Sequence, residues 1–308
     1  IKKEWKKERV GNIFKISNFK FIISNFIANL PFKLTSDQNK VIDEIIIDLK
    51  KTTPMNRFLQ GDVGSGKTVV AAIACYLSYL NGYQSIIMAP TEILASQHFQ
   101  SISKLFQRSK IKDQNDKSKL KYEIPKIQLI TGSTKSSLQP KPYTLNPDII
   151  IGTHALLSKQ NKFNKVGLVV IDEQHRFGVE QRALLKEKSL NPHILTMTAT
   201  PIPRTVALTL YGELDLSYIE EMPKGRQIIK TFLVPKEKRG NGYQWIKKQI
   251  KENNAQVFIV CPLIEESESE TLKSVKAVKI EFENLKKIFS EFKLGLLHGK
   301  IKSAEKQK

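Results

Sequence analysis

Residues 61–68 read Gly61-Asp62-Val63-Gly64-Ser65-Gly66-Lys67-Thr68, which fits the pattern G-x-x-x-x-G-K-[S/T] of a phosphate-binding loop. The short run 57–60 before it is typical of a β-strand, and residues 69–80 after it are typical of a helix. A strand, a glycine-rich turn and a helix in this order form the context in which the motif binds phosphate, which argues against a chance match. The stretch therefore predicts a nucleoside triphosphate site.

The residues of this loop have separate predicted roles. Glycine lets the backbone wrap closely around phosphate groups, so that amide N–H groups point at their oxygens. The Lys67 ammonium would neutralise charge on the β and γ phosphates, and the Thr68 hydroxyl would ligate Mg²⁺. The predicted ATP and Mg²⁺ ligands of the loop are Gly61, Gly64, Ser65, Gly66, Lys67 and Thr68.

A pair of carboxylates forms the second predicted part of the site. Residues 167–171 are an apolar, β-branched run typical of a strand buried on both faces of a parallel sheet, and Asp172 and Glu173 follow it. At the carboxyl end of such a strand, Asp172 would hold Mg²⁺ and Glu173 would orient and deprotonate a water molecule. The plain alternative is a solvated acidic strand end, which the phosphate-binding loop earlier in the chain makes less attractive.

Strands and helices alternate from residue 57 onward. This alternation predicts an α/β fold, a doubly wound parallel sheet followed by part of a second α/β unit. Beyond 57–60, the strands of the first unit are predicted at 85–89, 127–131, 148–152, 167–172 and 193–198, with helices at 41–49, 69–80, 92–106 and 179–188. The second unit is predicted to contain helices at 243–251 and 275–292 and strands at 256–261 and 294–297.

The cysteine content, the length of the apolar runs and the spacing of the histidines limit the possible classes of protein. The 308 residues contain two cysteines, Cys75 and Cys261, both expected to be buried thiols of a cytoplasmic protein. No apolar run is long enough to span a membrane. Lone histidines such as His98 are more often core or surface residues than catalysts, and no Cys/His spacing predicts zinc.

The formal net charge of +20 favours a polyanionic partner such as nucleic acid. Of the 50 basic residues 42 are lysine, a bias that AT-rich genomes also produce, so the charge alone supports nucleic-acid binding weakly. Arginine is more informative, because its planar guanidinium binds phosphate through two parallel hydrogen bonds. Four of the eight arginines fall beside motif-like segments: Arg176, Arg182, Arg204 and Arg226.

The order of the motifs resembles that of superfamily 2 helicases, and among them the RecG family of ATP-dependent, branch-migrating bacterial DNA helicases. The resemblance runs from about residue 31 to the end of the chain. It also disfavours a P-loop kinase or a transporter ATPase, which would not explain segments 152–154 and 198–200. The matching segments are 31–35 with Gln38, 61–68, 89–95, 131–133, 152–156, 172–182, 196–205, 260–268 and 297–300.

This resemblance implies roles for individual residues. Gln38 would read the adenine edge of ATP, and the catalytic set would be Lys67, Asp172, Glu173 and His175. Nucleotide state would be coupled to domain movement through Gln174, Thr198 and Thr200. DNA would be contacted through its backbone phosphates, without sequence preference, by Pro90, Thr91, Gly132, Thr153 and His154. The plain alternatives are a strand-end cap at Thr198 and Thr200 and ordinary loop residues at Thr153 and His154.

The resemblance also implies a domain division and two departures from the family. The expected parts are an N-terminal remnant or linker (1–30), an ATP-binding RecA-like lobe (31–230) and an incomplete second RecA-like lobe (231–308). Residues 1–30 are too few for the family's wedge domain. The last arginine is Arg239, so the family's arginine finger, which contributes about 10³–10⁵-fold to phosphoryl transfer, is not expected here.

Three interpretations of the chain's activity stay open. It is a fragment of a RecG-like helicase acting on branched or forked DNA, one piece of an enzyme that a second polypeptide completes, or a non-catalytic ATP- or nucleic-acid-binding remnant. In each of them, ATP hydrolysis by this chain alone is expected to be weak or absent.

Overall fold

The computed structural model describes residues 12–15, 20–108, 124–132, 147–158, 163–173, 191–200, 214–223, 229–261, 280–298 and 301. The chain divides into two compact units, Ile1–Arg226 and Gln227–Lys308. No helix in the described part of the chain is long and apolar enough to cross a membrane.

Unit 1 is built on a seven-stranded parallel sheet with the order β3-β4-β2-β5-β6-β1-β7. Its strands are β1 (Asn56–Gly61), β2 (Gln84–Met88), β3 (Ile127–Ile130), β4 (Ile149–Gly152), β5 (Val166–Asp172), β6 (His193–Thr198) and β7 (Asp215–Ile219). The predicted parallel α/β sheet is confirmed, and six strands agree with the predicted bounds within one residue at each end. The edge strand β7 was not predicted.

The described helices of unit 1 are α1 (Lys20–Ala28), α2 (Ser36–Leu49), α3 (Lys67–Leu80) and α4 (Glu92–Arg108). Helix α2 begins with a capping box, in which the Thr35 side chain accepts from the Gln38 N–H and the Gln38 side chain accepts from the Thr35 N–H. Helix α3 begins at Lys67, directly after the glycine turn. The predicted helix 179–188 lies outside the described residues, as does most of the lysine-rich segment 108–126.

The core of unit 1 covers both faces of the sheet, as a parallel sheet requires. Alternate strand residues belong to two apolar clusters: Ile87 and Val170 to the larger one, and Ile86 and Val169 to the smaller one. The larger cluster includes residues of all four helices, and also Phe14, which is 1% exposed. Described residues of the N-terminal segment are therefore part of the core of this unit.

Unit 2 contains helix α5 (Arg239–Asn253), which includes the predicted helix 243–251, and helical residues 280–288. The two predicted strands are not observed, because runs 256–261 and 294–297 lack regular strand structure. Phe258 and Val260 are each 84% exposed. A strand forms only against a hydrogen-bonded neighbour, and the described residues of unit 2 supply none, so apolar β-branched composition alone was an insufficient signal.

Candidate active site

The predicted nucleotide-binding residues meet at one edge of the sheet. Strands β5, β6 and β1 are neighbours and run parallel, so their carboxyl ends lie together. Asp172 is the last residue of β5, Thr198 is the last residue of β6, and the loop 61–68 follows from the end of β1. Ligand sites of open parallel sheets form at this edge.

The loop adopts a backbone that depends on two glycines. Gly64 has φ +82° and Gly66 has φ +90°, in the left-handed region that residues with a side chain rarely occupy. A Cβ atom at Gly66 would also lie 2.2 Å from Gln38 Nε2, so the packing of the loop excludes a side chain there. The Ser65 side chain is fully buried, and no group in the described part of the chain hydrogen-bonds its Oγ.

Lys67 is held inside the loop and close to the acidic residues. Its Nζ donates to the carbonyl oxygens of Gly61 at 2.7 Å and Asp62 at 3.0 Å. Burial lowers the pKa of the Lys67 ammonium, and the negative charges of Asp172, Glu173 and Asp62 partly oppose that shift. The ammonium and the two strand-end carboxylates therefore act on one another within a single electrostatic site.

Gln38 connects the start of α2 to the loop. Its side chain is buried, Oε1 accepts from Thr35 N–H at 3.0 Å, and Nε2 donates to the carbonyl oxygen of Ser65 at 2.7 Å. Sequence reasoning gave Gln38 a role toward adenine, which stays a prediction. The structure adds a second role, because one amide group braces both the helix start and the phosphate-binding loop.

The two strand-end carboxylates, Asp172 and Glu173, are hydrogen-bonded to different secondary-structure elements. Asp172 Oδ2 lies 2.8 Å from His98 Nε2 on α4, and both residues are buried. Glu173 Oε2 accepts from the Thr198 hydroxyl, and Oε1 accepts from the Ala199 N–H, each at 3.1 Å. Glu173 also has φ +52°, a backbone conformation that costs a residue with a side chain about 1–2 kcal/mol.

Thr198 and Thr200 form a short polar chain leading away from Glu173. Their Oγ atoms are 2.8 Å apart, and the Thr200 N–H donates to Thr198 Oγ1 at 3.2 Å. The structure thus joins Glu173 to two of the residues predicted to transmit nucleotide state. Their role in coupling is still a prediction, as is that of Gln174, which lies outside the described residues together with the predicted catalytic residue His175.

The residues predicted to contact DNA lie along the neighbouring part of the same edge. Pro90 and Thr91 follow β2, Gly132 follows β3, and Thr153 and His154 follow β4, three strands that are adjacent in the sheet. Thr91, Gly132 and His154 are exposed. The sheet edge therefore has a nucleotide half at β5-β6-β1 and a second half at β3-β4-β2. Arg176, Arg182, Arg204 and Arg226 lie outside the described residues.

A buried ion-pair network that sequence reasoning missed braces the strand leading into the loop. Arg57 on β1 donates to Asp48 Oδ2 at 2.8 Å, to Glu44 Oε2 at 2.9 Å and to Ser217 Oγ at 2.7 Å. Arg57 is 8% exposed and Asp48 is 2% exposed. The network joins α2, β1 and β7, and it left no sequence signal because Glu44 and Ser217 are 173 residues apart.

The ligand groups at this sheet edge are of the kinds that bind a nucleotide together with Mg²⁺. Two left-handed glycines shape the loop, and Lys67 and Thr68 lie at the start of the helix that follows it. Asp172 ends β5, which is separated from β1 by β6 alone. Mg²⁺ prefers oxygen ligands of this kind and is normally held by only one or two protein groups together with phosphate oxygens. Lys67 and Thr68 are partly accessible, as residues that contact a ligand at the surface must be.

Fold and site together define a P-loop nucleoside triphosphatase lobe of the helicase type. The chain belongs to the DEAD/DEAH box helicase family, which matches residues 35–209. Yeast Dbp5 bound to RNA and ADP–BeF3 shares the fold, with a TM-score of 0.56 at 16% identity over 87% of this chain and 65% of that chain.

The resemblance to RecG is confirmed. The chain is 46% identical to the ATP-dependent DNA helicase RecG of Synechocystis sp. over 93% of its length, which is 33% of that protein. It is 43% identical to RecG of Aquifex aeolicus over 99% of its length, which is 37% of that protein. A structure of RecG bound to a three-way DNA junction has a TM-score of 0.74 and 36% identity, over 99% of this chain and 38% of that one. The chain thus spans little more than a third of these relatives.

Proposed function

We propose that this chain is the ATP-binding part of a RecG-type motor that uses ATP hydrolysis to move on branched or forked DNA. The observation that carries the proposal is the meeting of Lys67, Asp172 and Glu173 at one sheet edge, with Glu173 bonded to Thr198. The relatives described as ATP-dependent DNA helicases support the same activity.

The loop 61–68 and the residues that contact it would bind the nucleotide. Lys67 Nζ donates to two backbone carbonyls of the loop, and it would exchange these bonds for bonds to phosphate oxygens. Thr68 and Asp172 would hold Mg²⁺, which when bound neutralises charge on the β and γ phosphates. Gln38 would keep the loop in place through Ser65 and offer its remaining hydrogen-bonding capacity to adenine.

Hydrolysis would use Glu173 as the base. A water molecule attacks the γ phosphorus, Glu173 accepts the proton, and ADP leaves as the bond to the bridging oxygen breaks. In the structure, both Glu173 oxygens accept hydrogen bonds from the end of β6. A carboxylate that must turn toward water would release these bonds, which provides a route from the γ phosphate to residues 198–200.

DNA would lie against the second half of the sheet edge. Thr91 directly precedes α4, and its hydroxyl accepts from the Leu94 N–H at 3.3 Å. The N-terminal N–H groups of such a helix can bind a phosphate. Contacts of this kind position a nucleic-acid backbone without reading its sequence. The affinity for DNA should accordingly fall with salt, with a slope of about −0.9 per neutralised phosphate on duplex DNA.

The test is steady-state ATP hydrolysis by the purified chain, with and without forked DNA, beside a Lys67→Ala variant. Turnover that forked DNA stimulates and Lys67→Ala abolishes supports a working motor. Turnover no higher than that of the variant supports the alternative function, an ATP-binding part that is inactive by itself. Completion by a second polypeptide stays a prediction, and adding the remainder of a RecG relative as a separate chain tests it.

A further inference from the structure

A histidine interrupts the apolar face that α4 packs against the sheet. Ala95, Ile102 and Phe106 are at most 1% exposed and lie three or four residues from their neighbours on this face. His98 lies on the same face and is 9% exposed. Burying a polar group among apolar ones is costly unless it is hydrogen-bonded, so the position requires a partner.

That partner is the carboxylate predicted to hold the metal ion. His98 Nε2 lies 2.8 Å from Asp172 Oδ2, and each side chain is 11% exposed. An ionised carboxylate can only accept hydrogen bonds, so the complementary arrangement has the Nε2–H of the imidazole donating to Oδ2. In the described part of the chain, His98 is the only residue that donates to the Asp172 carboxylate.

We propose that His98 is a positioning residue for the metal ion, acting through Asp172. The inference rests on the proposed function. The terminal torsion of an aspartate is broad, so a carboxylate at a strand end rotates unless something fixes it. The bond from His98 fixes Oδ2, and the carboxylate held in this way would bind Mg²⁺ through its other oxygen. Partners of this kind commonly change metal affinity or activity by about 10–100-fold when they are removed.

Two substitutions separate the hydrogen bond from the packing. His98→Leu keeps an apolar side chain of similar size on the buried face of α4 and removes the donor. His98→Gln keeps an amide N–H at nearly the reach of Nε2. A packing role would make leucine the better replacement, whereas a positioning role makes glutamine the better one.

The measurement is Mn²⁺ binding in the presence of ADP, followed by the loss of the free Mn²⁺ signal in electron paramagnetic resonance. It does not require hydrolysis. His98→Leu is expected to weaken Mn²⁺ binding about tenfold or more, and His98→Gln is expected to stay within about threefold of the unsubstituted protein. Equal weakening in both variants, or none in His98→Leu, would overturn the proposal.

A second readout does not depend on how the His98 variants fold. In the unsubstituted chain with ¹⁵N-labelled histidine, His98 should carry its proton on Nε2, and its signals should move in Asp172→Asn. A proton on Nδ1 would overturn the proposal, because Nε2 would then face a carboxylate without a hydrogen. Absent Mn²⁺–ADP binding in the unsubstituted protein, with the Nε2–H signal intact, would instead overturn the proposed function and the metal role with it.

Discussion

The hydroxyl of Thr198 donates a hydrogen bond to Glu173 Oε2 at 3.1 Å, joining the end of β6 to the residue after β5. The backbone N–H of Ala199 binds the other oxygen of the same carboxylate. The predicted base and the predicted coupling segment are therefore in direct contact. A change in the position of Glu173 must alter this contact.

Thr198→Val tests this contact, because valine keeps the shape of the side chain and removes the hydroxyl. We expect ATP binding to be retained and the stimulation of ATP hydrolysis by forked DNA to fall several-fold, since Glu173 loses one partner and Thr200 another. Thr196→Val is the matched control, a buried threonine two residues earlier on the same strand. If DNA-stimulated ATP hydrolysis fell equally in both variants, the cause would be a disturbance of strand β6 and not the lost hydrogen bond to Glu173.

Gln38→Leu should loosen the phosphate-binding loop. It leaves the Thr35 N–H and the Ser65 carbonyl without their partners, and each buried polar group left unpaired costs about 1–3 kcal/mol. Both the free energy of unfolding, measured with urea, and the affinity for ATP should fall. Asn39→Ala removes a bond to Thr35 from the same helix turn without touching the loop, so it should leave ATP affinity unchanged.

Arg57→Met should be among the most destabilising single substitutions in the described part of the chain. It leaves the buried Asp48 carboxylate without its main partner, which typically costs about 3–5 kcal/mol. Lys51→Met removes the more exposed partner of Asp48 and should cost no more than about 1 kcal/mol. Denaturant unfolding measures the free energy of unfolding of both variants. Similar losses of this free energy in the two variants would contradict the network described here.

His193 should make stability depend on pH. Its Nδ1 accepts from the Met55 N–H and its Nε2 donates to the Asn12 carbonyl, so the folded state holds it neutral. Burial lowers its pKa from the ordinary value of 6.5, while the bond to Asn12 and the charge of Asp48 partly oppose the shift. The unfolded chain binds more protons below pH 6.5, so the contribution is complete above that value and is lost as the pH falls toward the lowered pKa.

His193→Gln is the matched variant for this prediction, since an amide can also accept and donate one bond each. The loss of unfolding free energy between pH 7 and pH 5 should be smaller in His193→Gln, and the four other histidines cancel in the difference. Identical pH profiles for the two proteins would refute a role for His193.

Much of the fold followed from local sequence patterns. The β-branched run before Asp172 and the run 69–80 after the phosphate-binding loop each specify a strand or a helix within a few residues, and the structure agrees with both. The glycines of the loop were also predictable, because residues with a side chain rarely adopt the left-handed backbone seen at Gly64 and Gly66. The burial of Cys75 was also expected, and it raises the pKa of that thiol to about 12. Cys261 was expected to be buried as well, but it is partly exposed.

The features that were not predicted depend on contacts between residues that are far apart in the sequence. The sequence of β7, Asp215-Leu216-Ser217-Tyr218-Ile219, is short and mixes polar with apolar residues, and it becomes a strand because it pairs with β1. The partner of His98 is 74 residues away. The sequence did contain a signal for a buried partner, because His98 is a polar residue on the apolar face of α4. The pattern alone does not identify the group to which His98 is hydrogen-bonded.

The central claim is that the sheet edge at β5-β6-β1 binds magnesium ATP through Lys67. Titration of the chain with a fluorescent, non-hydrolysable ATP analogue, with and without Mg²⁺, tests it most directly, beside Lys67→Ala and the exposed control Lys50→Ala. Binding should require Mg²⁺ and weaken at least about tenfold in Lys67→Ala, because a hydrogen bond from a charged group contributes about 1.5–3 kcal/mol. Lys50→Ala should match the unsubstituted protein. Binding that is the same in Lys67→Ala would contradict the account.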